Sequence, residues 1–278
     1  RERRLTSRRS GRLTSSLRAV GLRILALPTP GRGCGSTAWC LGVYHAHSWL
    51  MGLATAEAQD DVWGRDATAL IAAVLSMRGS ARRVPGGFKV TGFWPFCSGV
   101  HHAQWVLLGC RVEAGEGQAA DEGVMLVPAG AFQIKDDWYA TGLTGTGSNS
   151  VVTSDVIVPA HRFLSFPQAA EGRAPGAELH ASTLYRSALV PVLALFITSP
   201  VIGMAEHALE DFIGRLPGRV VAHTFDQKQI EMPVTHLQVG EAATKIDLAR
   251  TRLEAMIEAH VAEKLHAYTM PRTRPNSR

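Results

Sequence analysis

The sequence predicts an α+β fold, with helices at the start, strands in the middle and helices again at the end. Three observations carry this. Apolar residues fall at helical spacing from Thr37 to Gly64, shift to short runs bounded by turn signals from Thr68 to Pro159, and return to helical spacing after a Pro/Gly-rich stretch at 167–176. Hydrophobic residues make up 46% of the 278-residue chain and charged residues 19%, which suits a buried core and excludes a disordered chain. The implied division is 1–67, helical with a basic tail; 68–168, a closed or sandwiched β domain; 177–270, a helical bundle; and 271–278, a tail.

Charge and cysteine usage narrow the function. The net charge of +5 comes from the ends, because residues 1–32 hold nine Arg and one Glu and residues 271–278 hold three more Arg. The body, 33–270, has net charge −6 and no cluster of Lys and Arg, which argues against nucleic acid. Cys34, Cys40, Cys97 and Cys110 lack any C-x-x-C spacing. They point to a reducing, cytoplasmic setting rather than a disulfide framework or a zinc site. The Arg- and Ser-rich stretch from Arg1 to Ala19 is open to three readings: a transit peptide, an interaction tail or a loosely packed end.

In the first helical segment, Trp39, Val43, Ala46, Leu50 and Leu53 share a face. His45 and His47 are two apart and so point to different faces, and no third ligand is spaced for a metal. A polar histidine at a helix surface is the plainer reading of either. Strands are expected over the apolar runs 69–75, 105–110, 123–128 and 150–158, with loops at 79–87 and 113–123. Between them, Gly86-Gly87 signals a turn, and Phe88 and Val90 alternate with Lys89 and Thr91 as in a half-buried strand. Pro95 then ends the ladder, and Ser98-Gly99 lets backbone and hydroxyl approach a ligand. Trp94, Phe96 and Trp105 crowd this corner, as a core corner or as the wall of a flat aromatic cofactor. Ser76 and Ser98 are expected at strand ends bordering one cavity. Thr144 to Ser148 (TGTGS) lacks the Lys of a phosphate loop and reads as a turn. Residues 188–205 are strongly apolar but interrupted by Pro191, Pro200 and Thr198-Ser199, which favours a helix buried on all sides of a bundle over a membrane span. The segment 234–267 is amphipathic, with Ile246, Ala249, Leu253, Met256 and His260 in helical step.

Three segments in order, CGSTAWCLGVYHAHSW (34–49), GFWPFCSGVHHAQW (92–105) and DDWYATGLTGTGSNSVVTSDVIVP (136–159), carry a resemblance. The chain is similar, over roughly Gly33 to His260, to flavin-dependent monooxygenases of the acyl-CoA dehydrogenase superfamily. These are the oxygenase subunits of two-component systems, of the 4-hydroxyphenylacetate 3-hydroxylase and steroid-degradation hydroxylase type. The resemblance implies an acyl-CoA dehydrogenase-like fold with a partial N-terminal helical region, a central antiparallel β domain and an incomplete C-terminal bundle. By this likeness Gly21 to Leu27 is the remnant of a covering helix, and the chain is expected to be truncated at both ends.

The implied activity is hydroxylation of a small phenolic substrate with O2 and reduced flavin, FMNH2 or, as the alternative, FAD, through a flavin C4a-hydroperoxide. The flavin comes from a separate NAD(P)H-dependent reductase, and the intact form is a homo-tetramer. By the same likeness, Ser98 meets flavin N5, Trp94, Phe96 and Cys97 form a dry wall, Thr146 and Ser148 lie beside the flavin, and Arg186 stabilises its anionic form. His47 and Ser76 hold the phenolic hydroxyl and Trp39 stacks on the ring. Two alternatives stay open: an FAD-dependent acyl-CoA dehydrogenase, although Phe96 stands where those enzymes commonly carry Thr or Ser, and a non-catalytic remnant of the fold.

Overall fold

The computed structural model describes residues 24–115, 117–180 and 183–269. The expectations for Arg1–Ala19 and Pro271–Arg278 lie outside them. Among the described residues a helical stretch at 24–26 is followed by α1 (Pro28–Gly33), α2 (Gly35–Met51) and α3 (Ala56–Trp63). The single helix expected over 37–64 is therefore two. The Thr55 hydroxyl caps α3 by accepting from Ala58 N–H at 3.2 Å. The residue after α2 is overlaid by a later segment: Gly176 N–H donates to Leu53 O at 2.9 Å, and a Cβ on Gly176 would stand 2.0 Å from Gly52 O.

Seven strands follow: β1 (Ile71–Val84), β2 (Gly87–Trp94), β3 (Trp105–Val112), β4 (Asp121–Pro128), β5 (Gln133–Lys135), β6 (Ser150–Pro159) and β7 (Phe163–Ser165). The expected loop at 79–87 is mostly strand, since β1 runs on to a tight turn at Gly86, φ +81°. The sheet order is β5-β6-β2-β1-β3-β4-β7. All pairs are antiparallel except β1 with β3, which run parallel. The central β domain is thus mainly antiparallel, as expected, with one parallel pair within it. The chain leaves β2 at Pro95, crosses the end of the sheet through a 3-10 turn at Val100–His102, and enters the far side of β1 in its own direction.

The sheet must also curl. Strands β6 and β7 lie five strand spacings apart in sheet order, about 24 Å if flat. Only Ala160–Arg162 connects them, a reach of roughly 14 Å. The flat arrangement is impossible, and β4 and β6 do come into contact.

Curling creates two cores. Val106, Leu108, Cys110, Val112, Met125 and Val127 point to the inside of the curl with Phe88, Val90 and Trp94. Leu107, Val124 and Leu126 point the other way, against Trp49, Leu50 and Leu53 of the helical layer. Strands buried on both faces read as continuous apolar runs, which is how β3 and β4 appear in the sequence.

After two short helices, α4 (Phe166–Ala170) and α5 (Gly176–Leu179), come the long α6 (Leu189–Arg215) and α7 (Pro233–Thr269). Helix α6 is long and apolar enough to cross a membrane. One flank packs closely on α1 and α2 through glycines: a Cβ on Gly203 would meet Pro28 O at 2.0 Å, and one on Gly42 would meet Phe196 O at 2.9 Å. The other flank, with Val190, Ile197 and Val201, is exposed, so α6 is not buried on all sides as expected. In α7 the covered stripe is Leu253 and Ile257, beside an Arg250–Glu206 ion pair to α6. Ala249 and Met256, expected on that stripe, face outward, and the His260 side chain lies outside the description.

Candidate active site

Two loops and one helix meet beyond the end of β2. The loop after Trp94 turns at Gly99, φ +73°, and its Gly99 N–H donates to Thr146 O at 2.8 Å. Cys97 N–H donates to Asn149 O at 3.1 Å, which ties the same loop to residues 143–149. The Tyr44 hydroxyl on α2 donates to Gly99 O at 2.6 Å. Burial pushes that phenol up to about 12, so it remains a neutral donor.

Within this junction four predicted residues form one hydrogen-bonded chain. Trp39 Nε1–H donates to Ser98 Oγ at 3.1 Å, Ser98 Oγ lies 2.9 Å from Ser148 Oγ, and Ser148 Oγ lies 2.6 Å from Thr146 Oγ1. Thr146 Oγ1 donates onward to Leu143 O at 2.8 Å. Thr146 and Ser148 are buried, whereas Trp39 and Ser98 are half-buried at the mouth. Phe96, 67% exposed and at φ +67°, stands beside Trp138 with ring centroids 6.2 Å apart, edge to face.

The other predicted residues lie elsewhere. Trp94 has no exposed surface, and its indole donates to Gly109 O at 2.8 Å inside the sheet core. Cys97 is likewise at 0% exposure, and burial raises its thiol to about 12. Neither can be a wall of an open cleft, which corrects both assignments; of the three wall residues only Phe96 presents a surface. Ser76 is exposed and sits within β1, in the irregularity between Val74 and Gly79, rather than at a strand end. Arg186 is exposed, next to Tyr185, whose ring packs on Gly52. Gly52 is thirteen residues from Trp39, about 20 Å along a helix, so Arg186 stands away from the Ser98 cluster.

His47 occupies an intermediate place, two helical turns beyond Trp39. It is 7% exposed, and its Nδ1 lies 3.1 Å from Ile71 O. A carbonyl only accepts, so Nδ1 carries the proton and Nε2 presents a lone pair. Burial lowers its pKa to about 4, which keeps the ring neutral. The surface-histidine reading therefore fits His45, whose Nδ1 meets Leu41 O at 2.7 Å, and not His47. Ile71, whose carbonyl meets His47, stands five residues before Ser76 on β1, up to about 16 Å along the strand, and no hydrogen bond joins His47 to Ser76 among the described residues. Of Trp39, His47, Ser76, Trp94 and Ser98, to which the resemblance gives roles around one site, Trp39 and Ser98 meet directly, whereas the hydrogen bonds of His47 and Trp94 run to Ile71 and Gly109.

Sequence reasoning missed Tyr44, Trp138 and Asn149. Asn149 Oδ1 accepts from Asp137 N–H and Trp138 N–H at 3.1 and 2.8 Å, which fixes the Trp138 loop against the cluster. Asn149 follows the Thr144–Ser148 turn directly, and a turn rich in hydroxyls needing a buried anchor was the available signal. Among the described residues no three His, Cys, Asp or Glu are grouped to hold a metal.

Residues 195–276 match the family model "Acyl-CoA dehydrogenase, C-terminal domain". The oxygenase subunit HsaA of a flavin-dependent monooxygenase from Rhodococcus jostii (strain RHA1) is 35% identical, over 81% of this chain and 58% of that protein. The oxygenase component of an FADH(2)-dependent resorcinol hydroxylase from Rhizobium sp. (strain MTP-10005) is 32% identical, over 84% of this chain and 61% of that protein. The crystal structure of a 3-HSA hydroxylase from Rhodococcus sp. RHA1 superposes with a TM-score of 0.81 and 32% identity, over 89% of this chain and 62% of that one. The chain spans about three fifths of the length of the relatives it matches.

Proposed function

We propose that this chain, which belongs to the flavin-dependent monooxygenases built on the acyl-CoA dehydrogenase fold, forms the flavin-holding part of an oxygenase component that hydroxylates a phenolic substrate. The observation that carries the proposal is the Ser98 hydroxyl, set at the mouth of a buried hydroxyl chain and backed by Trp39. Fit to a flavin is supported by the donor set. Ser98 Oγ keeps a lone pair for a ring N–H, Phe96 and Trp138 offer aromatic surface beside it, and no charged group sits in the chain of contacts. Reduced flavin, when bound, supplies the electrons that activate dioxygen for insertion of one oxygen atom into an aromatic ring. Either FMN or FAD in reduced form suits these contacts.

Each residue then has a task. Ser98 orients the flavin ring, while Thr146 and Ser148 hold Ser98. Trp39 bounds the substrate side. His47, with a neutral ring and its Nε2 lone pair, accepts a hydrogen bond from a phenolic hydroxyl that reaches it, raising the electron density of the ring to be attacked. Ser76 and Arg186, exposed as they are, take part only if a further surface covers them; a homo-tetramer is the arrangement we propose for that. A separate flavin reductase supplies the reduced flavin.

The test supplies the chain with FMNH2 or FADH2, dioxygen and a panel of phenols under a reductase feed. The expected result is a hydroxylated phenol, with Ser98→Ala shifting dioxygen consumption toward hydrogen peroxide and His47→Ala cutting product about 10²-fold or more. Oxidation of an acyl-CoA thioester instead would assign the chain to the dehydrogenases. Absence of flavin binding and of both reactions would mark it as a remnant of the fold.

A further inference from the structure

We infer that Thr146 and Ser148 select the redox state of the flavin held at Ser98, by fixing the Ser98 hydroxyl as an acceptor. The inference rests on reading the Ser98 site as a flavin site. Its basis is that the protons along the hydroxyl chain can be placed one by one.

The Leu143 carbonyl can only accept, so the Thr146 hydroxyl at 2.8 Å must donate to it. A hydroxyl has one proton, so in the 2.6 Å contact Thr146 Oγ1 accepts from Ser148. The Ser148 proton is then committed, and in the 2.9 Å contact Ser148 Oγ accepts from Ser98. At the other end an indole N–H only donates, so Ser98 also accepts from Trp39 at 3.1 Å. Ser98 is left with no free proton and one free lone pair. The direction runs from Trp39 to Leu143.

The terminus of the chain is held firmly. Leu143 sits at φ +53°, and its carbonyl also accepts from Thr146 N–H at 3.0 Å and Trp138 Nε1–H at 3.3 Å. Thr146 and Ser148 are 2% and 5% exposed, so water does not compete for their hydroxyls. Reversing the chain would strip the Thr146 hydroxyl, at 2.8 Å the shortest of the three donors, from that carbonyl, so the direction from Trp39 to Leu143 is the favoured one.

Flavin chemistry gives this polarity a consequence. Reduced flavin carries N–H at N5, and oxidised flavin carries a lone pair there. Ser98 as built satisfies the first and opposes its own lone pair to the second. Reduced flavin should bind roughly tenfold more tightly or better on this account. A tenfold ratio corresponds to about 30 mV of upward shift in the potential of the bound two-electron couple. Thr146→Val removes the acceptor of the Ser148 proton. Ser148 can then donate to Ser98, which frees the Ser98 proton for oxidised flavin. Ser148→Ala reaches the same end more directly.

The experiment is an anaerobic fluorescence titration of the full chain with FMNH2, paired with a titration by oxidised FMN. The expected result is tighter binding of the reduced form by wild type and by Thr146→Ser, which keeps the hydroxyl. In Thr146→Val and Ser148→Ala the ratio should fall to within about threefold, mainly through better binding of oxidised FMN. A ratio unchanged in these two variants overturns the inference. Equal binding of both forms by wild type also overturns it, and leaves the flavin site standing. If wild type binds neither form, the flavin reading fails and this inference fails with it.

Discussion

His47 shows how much one buried side chain can decide. Its pKa is lowered to about 4 by burial, from an ordinary value near 6.5. Between those values the unfolded chain takes up a proton that the folded chain refuses, so stability rises with pH across about 4 to 6.5 and is lost as pH falls through it. His47→Gln should flatten that part of the stability curve, by on the order of 3 kcal/mol at pH 4, as measured by urea unfolding at pH 4 to 7.5. A second prediction concerns Gly99. At φ +73°, with Tyr44 Oη only 2.2 Å from where a Cβ would sit, Gly99→Ala should cost several kcal/mol and lower Tm by more than 5 °C. Both residues stand in motifs legible in the sequence, and so did Ser98. The inward turn of Trp94 was also written there, in two glycines. Gly79 and Gly92 pair across β1 and β2, and the Trp94 ring lies 2.2 and 2.5 Å from where their Cβ atoms would be. The slot was unreadable without the register that pairs them.

At the scale of elements that slot makes its own prediction. Gly79→Ala should destabilise by about 1–3 kcal/mol through overpacking against the indole and Cys110, read from the midpoint of denaturant unfolding. Helix and strand identities were legible because their apolar periods differ, and β3 and β4 announced double-sided burial by unbroken apolar runs. The parallel pairing of β1 with β3 was not legible, because periodicity carries no strand direction. The outward face of Met256 was missed for a related reason. Alternative stripes on α7 differ by a single step, and the contact with α6 through Leu253, Ile257 and Arg250 chooses between them.

For the molecule as a whole, stability should be uneven. Strands β3 and β4 are buried on both faces, whereas the described part of α7 buries Thr235, Leu253 and Ile257 alone below one tenth exposure. Amide hydrogen exchange should therefore proceed in α7 by local opening, at least 10²-fold faster than in β3, which should exchange only on global unfolding; equal protection would contradict this. The three-residue link between β6 and β7 has a consequence of another kind, in the time order of synthesis. Strand β4 ends at Pro128, but its outer partner β7 begins only at Phe163. At a ribosomal pace of about 5–20 residues per second the free edge of β4 waits roughly 2–7 s for that partner. During that interval Val124, Met125 and Leu126 flank an unpaired backbone edge, so nascent chains stalled between residues 130 and 160 should be the ones that chaperones must shield.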